Sequence, residues 1–260
     1  MAWVDLVEPG LTIGPSALES ERFGLRIVRA TAGGDVDTGE LVLAIDALHA
    51  DVVIVRYAAG DQRLASALAA TRFAVIPAGA LTYWDKAVGD TDVPAERGLD
   101  VVPGTAYDAD RAGLVVRDVI RDSFHGYGNH YTANPLLDRA AALEGYEDWA
   151  SRTLIADPAN VLVLVSSGDA IGVATLAVAD DHLEILLAGL VSGAQGQGRY
   201  AALLAGCEAR ARSLGLPRLV ISTQVHNIRV QRAWARFGFR PFAAIETLHL
   251  VERGTLAARI

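Results

Sequence analysis

His182-Leu183-Glu184-Ile185-Leu186-Leu187-Ala188-Gly189-Leu190-Val191, continued by Ser192-Gly193-Ala194-Gln195-Gly196-Gln197-Gly198-Arg199-Tyr200, is the stretch that decides the fold. Its first ten residues read as an apolar strand. Residues 199–214 then place Leu203, Leu204, Cys207 and Ala211 at helical spacing, with Glu208, Arg210 and Arg212 elsewhere on the wheel. A turn from strand into helix leaves the first helical amides unpaired, and glycines at 196 and 198 let the backbone close around an anion without Cβ clashes. Such a nest binds phosphate oxygens. Gln195 can donate from its side chain, and Arg199 adds a positive charge beside the anion.

Downstream, Gly215-Leu216-Pro217 stops the helix and residues 219–223 read as a buried parallel strand. A second helix starts near Asn227 and ends at Phe237, with Gly238 as the left-handed residue after it. Upstream, residues 108–124 and 135–154 look helical. Residues 161–166 and 170–179 read as antiparallel strands joined across Ser167-Gly168-Asp169. The amino-terminal part alternates differently, with strands at 23–29, 51–56 and 73–76 and helices at 39–48 and 62–71, a small βαβαβ unit. Residues 88–104, rich in Gly, Asp and Pro, read as a connection. The expectation is a mixed α/β (α+β) protein with a small α/β domain over 1–99 and a second domain over 100–260.

Composition sets the outer limits. With 260 residues, 52% hydrophobic and 21% charged, the chain can build a sizeable core. No signal-peptide pattern and no apolar run near ~18 residues occurs, so a cytoplasmic protein without membrane contact is expected. A net charge of −8 argues against a nucleic-acid partner. Cys207 is the sole cysteine, which excludes an internal disulfide and a cysteine zinc site and fits a small core residue. No metal site is expected, because the histidines lack an acidic partner at ligand spacing. Lys86 is the one lysine.

The Gln195–Tyr200 loop resembles the acyl-CoA pyrophosphate loop of the GNAT acetyltransferases, written [Q/R]-x-x-G-x-[G/A]. Asn227 to Phe239 resembles their N…A…Y…GF block. The order of elements over roughly residues 100–251 is similar to that family's. The two-part layout, with Phe23-Gly24, Tyr83-Trp84 and Thr223-Gln224, further resembles the TDP-fucosamine acetyltransferases, which acetylate an amine of a nucleotide-linked sugar. The resemblance implies an acetyl-CoA-dependent N-acetyltransferase of GNAT fold acting on a small-molecule amine. A protein or peptide acetyltransferase and a catalytically weak acyl-CoA sensor are the alternatives.

It also implies roles. Gln195, Gly196, Gln197, Gly198, Arg199, Tyr200, Asn227 and Trp234 would meet coenzyme A, and the main chain of Leu190 and Val191 would hold the thioester. Glu184, eleven residues before Gln195, matches the strand glutamate that serves as base in the histone-acetylating branch; its other reading is the wet face of a strand. His182 is a weaker competitor, read as a surface residue at the turn. Where the family has Tyr seven residues after the Asn, this chain has Trp234, so Tyr200, Tyr131 or Thr223 must donate to the leaving sulfur, or none does. His125, Tyr127, His130, Tyr131 and Asn134 lie in the connection that borders the acceptor pocket in the family, and His130 is a further candidate base. The acceptor, the acyl chain and the oligomeric state, a homodimer included, are left open.

Overall fold

A computed structural model describes residues 10–89, 91 and 98–257. In chain order its elements are β1 (Leu11–Pro15), α1 (Ala17–Phe23), β2 (Ile27–Ala32), α2 (Thr38–Asp46), β3 (Val52–Ala58), α3 (Gln62–Ala69), β4 (Ala74–Ala87), β5 (Leu99–Pro103), α4 (Ala109–Phe124), α5 (Arg139–Ala156), β6 (Val161–Ser166), β7 (Asp169–Val178), β8 (Leu183–Leu190), α6 (Tyr200–Ser213), β9 (Arg218–Gln224), α7 (Ile228–Phe237), β10 (Arg240–Val251) and α8 (Arg253–Ala257). Two compact units form, and neither is contiguous in sequence. The first comprises Met1–Thr82, Gly128–Ala142 and Ala243–Ile260; the second comprises Tyr83–Tyr127 and Leu143–Phe242. The division therefore does not fall at residues 99/100: among the described residues, 83–89 go with the second unit, and 128–142 and 243–257 return to the first.

In the first unit β2 and β3 are parallel across α2, as their alternation predicts, and β1 lies antiparallel on the outer edge of β2. β10 is antiparallel to β3, with Leu250 opposite Val53, and the strand order places it between β3 and β4. Local pattern gives no sign of that insertion. Six of the seven β3 residues are buried, a strand covered on both faces. One face packs Leu41, Ile45, Leu64 and Leu68 of the helices on Val53, Val55 and Phe73. The other packs Phe23, Leu136 and Leu137 on Ile27, Ile54 and Val251. The Asp37 and Asp61 carboxylates accept from the first amides of α2 and α3, caps that stabilise by about 1 kcal/mol each.

In the second unit the strand order is β4-β9-β8-β7-β6-β5. The β6–β7 hairpin turns through Ser167 and Gly168, both at positive φ (52° and 94°), the conformation of a two-residue type I′ turn. Val116, Val119 and Ile120 of α4 cover one face, against Val173 and Leu187. Leu203, Leu204, Cys207 and Ala211 of α6 cover the other, with Leu183, Ile185 and Trp234. Cys207 is a core residue, its thiol pushed up to about 12 by burial. β5 occupies the end of the stretch read as a connection, as an edge strand that tolerates Pro103; residues 90 and 92–97 lie outside the described residues. Lys86 pairs with buried Glu208. Burial pushes that carboxyl up, yet the Lys86 ammonium and the Gly89 amide together hold it below the usual range. Among the described residues no helix is long and apolar enough to cross a membrane.

Candidate active site

β8 and β9 are in parallel register over three pairs, Leu183 with Leu219, Glu184 with Val220 and Ile185 with Ile221. At that point β8 carries a bulge: Leu176 of β7 faces Ile185 and Thr175 faces Leu187, which leaves Leu186 as the extra residue. A bulge bends its strand and raises its twist. Pairing with β7 resumes as far as Leu190, while pairing with β9 does not. A gap thus opens beside residues 186–190.

Main-chain polar groups alternate in direction along a strand. The Val191 N–H donates to the Ile171 carbonyl at 2.9 Å, so the amides of Ala188 and Leu190 face the parted side. Of the two amides expected at the thioester, that of Leu190 points into the gap, and that of Val191 is committed to the sheet. Gly189 stands where a Cβ would meet Ser123 Oγ at 2.6 Å, so the end of α4 rests directly on β8.

Past Leu190 one 3₁₀ turn, Ser192–Ala194, leads to Gly196 and Gly198, at φ 81° and 80°. A Cβ at 198 would meet nothing within 4 Å, and one at 196 would meet only Arg229 Nη2 at 3.7 Å. Backbone conformation, not packing, therefore demands glycine at both. α6 starts without a side-chain cap, whereas α2, α3 and α4 start under Asp carboxylates. The Ala201 and Ala202 amides turn back on the Gly198 and Arg199 carbonyls at 3.1 Å, and no side chain caps the start of the helix. An open left-handed loop, an uncapped helix start and a nearby guanidinium fit a diphosphate.

Gln195, expected to donate to the ligand, is engaged at both ends of its amide. Nε2 donates to the Leu190 carbonyl at 2.9 Å, and Oε1 accepts from Arg229 Nη1 at 3.1 Å. It ties the end of β8 to the first turn of α7 and brings Arg229 over the loop. Sequence reasoning missed Arg229, although a cation two residues after Asn227 was a usable signal. Arg229→Ala is expected to raise the KM for acetyl-CoA about tenfold with kcat nearly unchanged, the low end of a charge-assisted hydrogen bond for an exposed group. Steady-state kinetics at two salt concentrations check this; an unchanged KM would take Arg229 out of the cradle.

Two tyrosine hydroxyls come to the same region. Tyr200 Oη accepts from Trp234 Nε1 at 3.2 Å, and Trp234 is a core residue. Tyr127 Oη lies 3.3 Å from Thr223 Oγ1 and accepts from the Gln224 amide at 3.3 Å, while Asn227 Nδ2 donates to Thr223 Oγ1 at 3.0 Å. Burial raises the pKa of both tyrosines, which stay protonated at neutral pH. The rings of Phe124, Tyr127 and Tyr146 form a cluster with centroids 5.0–6.1 Å apart.

Glu184 is 3% exposed. Leu183 and Ile185 belong to the core under α6, so Glu184 faces the α4 side as a buried carboxylate, and the wet-face reading fails. His182 is 1% exposed, not a surface residue. The segment expected to border the acceptor is divided: exposed His125 and half-buried Tyr127 belong to the second unit, and His130, Tyr131 and Asn134 to the first.

In the first unit Asn134 Oδ1 accepts from the Leu136 amide at 3.0 Å, which turns its Nδ2 toward His249 Nδ1 at 3.2 Å. His249 then donates from Nε2 to His130 Nδ1 at 3.0 Å, so the lone pair that would make His130 a base is spent within the unit. Tyr131 donates to Glu19, which Arg29 grips with two hydrogen bonds of 2.7 and 2.6 Å. Burial would raise the Glu19 carboxyl, but Arg29 holds it down at about 2.

Burial also holds His249 down to about 4 and His130 well below the usual imidazole value. The unfolded chain protonates these rings near ~6.5 and the folded chain does not, so the unfolded state binds more protons below that pH. The stability they contribute is complete above ~6.5 and is lost as pH falls toward about 4, on the order of 3 kcal/mol for His249 alone. Urea midpoints measured at pH 7.5, 5.5 and 4.5 should fall in that order; a flat series would contradict the buried neutral pair.

A mixed sheet opened beside a glycine loop that starts a helix is the arrangement the chain presents. Residues 120–239 match the family model described as Acetyltransferase (GNAT) family. No curated protein matches the chain. Among solved structures it is similar to a GCN5-related N-acetyltransferase from Sphaerobacter thermophilus (12% identity, TM-score 0.63, covering 94% of this chain and 77% of that one). It is similar also to a functionally unknown conserved protein from Staphylococcus epidermidis (12%, 0.60, 87% and 84%). A third is a GCN5-related N-acetyltransferase from Kribbella flavida (15%, 0.55, 86% and 81%). At these identities the likeness is one of fold.

Proposed function

We propose that the protein transfers an acetyl group from acetyl-CoA to the primary amine of a small molecule. The observation that carries this reading is the parting of β8 from β9 after Ile185, directly before an open glycine cradle and an uncapped helix. Acetyl-CoA supplies an acetyl group already activated as a thioester. The amides of residues 196–200, with Arg199 and Arg229, hold its diphosphate. The Leu190 N–H faces the carbonyl oxygen where charge grows, a fixed donor worth about 3 kcal/mol.

Glu184 takes the proton of the attacking amine. Tyr200 gives a proton to the departing sulfur, and Trp234 orients it. The indole N–H occupies a lone pair of the Tyr200 oxygen, so the phenolic hydrogen must point elsewhere. The hydroxyl that the family carries on α7 has in this chain moved to the first turn of α6, and the residue in its former place holds it.

For the acceptor we favour an amino sugar linked to a nucleotide. The resemblance of the two-part layout supports this, as does the aromatic cluster of Phe124, Tyr127 and Tyr146 beside the Ser123–Gly189 contact, a surface suited to the apolar face of a sugar.

The test is thermal stabilisation by acetyl-CoA, followed by CoA release with a panel of nucleotide amino sugars, glucosamine, polyamines and peptides. Stabilisation with turnover on amino sugars is the expected result. Transfer to peptide amines alone would replace the acceptor class, binding without turnover on any amine would make the protein a sensor, and no stabilisation would remove the proposal.

A further inference from the structure

Acetylating an ammonium group yields one proton per turnover: R–NH₃⁺ and an acetyl thioester become an amide, a thiol and H⁺. The N–C bond forms, the C–S bond breaks, and of the two protons that nitrogen loses, one ends on sulfur and the other must reach water. Glu184 is 3% exposed. Taking Glu184 as the base, and so resting on the function proposed above, we propose that His182 and Asp181 are the exit for this proton.

His182 joins the buried interior to the surface. It is 1% exposed, yet its Nδ1 lies 2.6 Å from Oδ1 of Asp181, whose side chain is 68% exposed. An ionised carboxylate only accepts, so Nδ1 carries the hydrogen and Nε2 keeps the lone pair. Nε2 is buried and has no hydrogen-bond partner among the described residues. The Ala179 amide donates to the His182 carbonyl, so the antiparallel ladder continues through this residue. With Leu183 and Ile185 under α6, His182 and Glu184 share the opposite face, two residues or ~6.6 Å apart. One water bridges such a span.

Beyond Glu184 on that same face lies Thr175, fully buried, whose hydroxyl also has no partner among the described residues. Glu184 pairs with Ala177, two residues from Thr175. Buried polar groups are nearly always satisfied, so a row of three with unspent valence at both ends is built to carry water and protons, not to pack. The other charged groups near His182 favour the direction of flow. Arg218 of β9 lies 3.3 Å from Asp181 Oδ2 and 3.5 Å from Asp85 of β4. The His182 hydrogen bond, joined by Arg218, keeps the Asp181 carboxyl below its ordinary range and so ionised, an acceptor for the Nδ1 hydrogen that does not retain the proton against water. The proton passes from Glu184 to His182 Nε2, the Nδ1 proton leaves through Asp181 to water, and ring rotation or re-exchange restores the tautomer.

The experiment compares full-length wild type, His182→Asn and Asp181→Asn with acetyl-CoA and glucosamine, or the panel amine that wild type turns over fastest, in H₂O and D₂O. His182→Asn should lower kcat about tenfold, enlarge the solvent isotope effect, leave the KM for acetyl-CoA alone and respond to added imidazole. Asp181→Asn should show the same signature more weakly. Wild-type kcat and isotope effect in both variants overturn the relay. Should His182→Asn fail to fold, the exposed Asp181→Asn decides. A wild type that turns over no amine speaks against the parent function. In that event the relay is judged by the His182 ring NMR spectrum, which should show the Nδ1–H tautomer in wild type and lose it in Asp181→Asn; an Nε2–H tautomer in wild type overturns it.

Discussion

Gly196→Ala combined with Gly198→Ala is expected to weaken acetyl-CoA binding by about a hundredfold or more while the protein stays folded. Both residues hold φ near +80°, where an L side chain costs about 1–2 kcal/mol. The two substitutions therefore strain the loop by about 2–4 kcal/mol, or the loop relaxes and its amides no longer converge. Each amide-to-anion hydrogen bond forfeited in that way is worth about 1.5–3 kcal/mol. Two such bonds lost come to about 3–6 kcal/mol, above the ~2.7 kcal/mol that corresponds to a hundredfold. Neither glycine packs against the core, since a Cβ meets only one distant guanidinium or nothing. Calorimetric titration should show the loss, and thermal unfolding without ligand should remain cooperative, lowered by no more than the ~2–4 kcal/mol of loop strain. Undiminished affinity would mean that the diphosphate lies elsewhere.

Glu184→Gln is expected to lower kcat by about 10²–10⁴ with the KM for acetyl-CoA within about twofold, the range for removal of a positioned base. The change keeps shape and removes charge. A carboxylate buried on the α4 face for structural reasons alone would respond in stability instead. Rates measured from pH 6 to 9 separate these outcomes: an unaltered kcat throughout would eliminate Glu184 as base.

Much of the second unit was legible in local pattern. The helix spacing of Leu203, Leu204, Cys207 and Ala211, the stop at Gly238 and the Ser167-Gly168 turn are short-range facts, and the structure has each in place. Other features were not legible, because they depend on which strand lies beside which. β10 enters between β3 and β4 although it follows β4 by more than 150 residues. No window of sequence reports such a pairing. The same holds for the engagement of Gln195 by Leu190 and Arg229, the meeting of Tyr200 with Trp234, and the burial of His182, which alternation alone left at a wet turn.

From its sequence the chain already determined a glycine turn, its flanking helix and strand, and a mixed α/β class, because glycine dihedrals and hydrophobic periodicity act over a few residues. The tertiary structure alone decided that β8 leaves β9 after Ile185, that the Leu190 amide faces the gap while that of Val191 does not, and that the lone pair of His130 is consumed by His249. Those outcomes rest on sheet register and on hydrogen-bond partners distant in sequence, where a shift of one residue reverses which groups face a ligand.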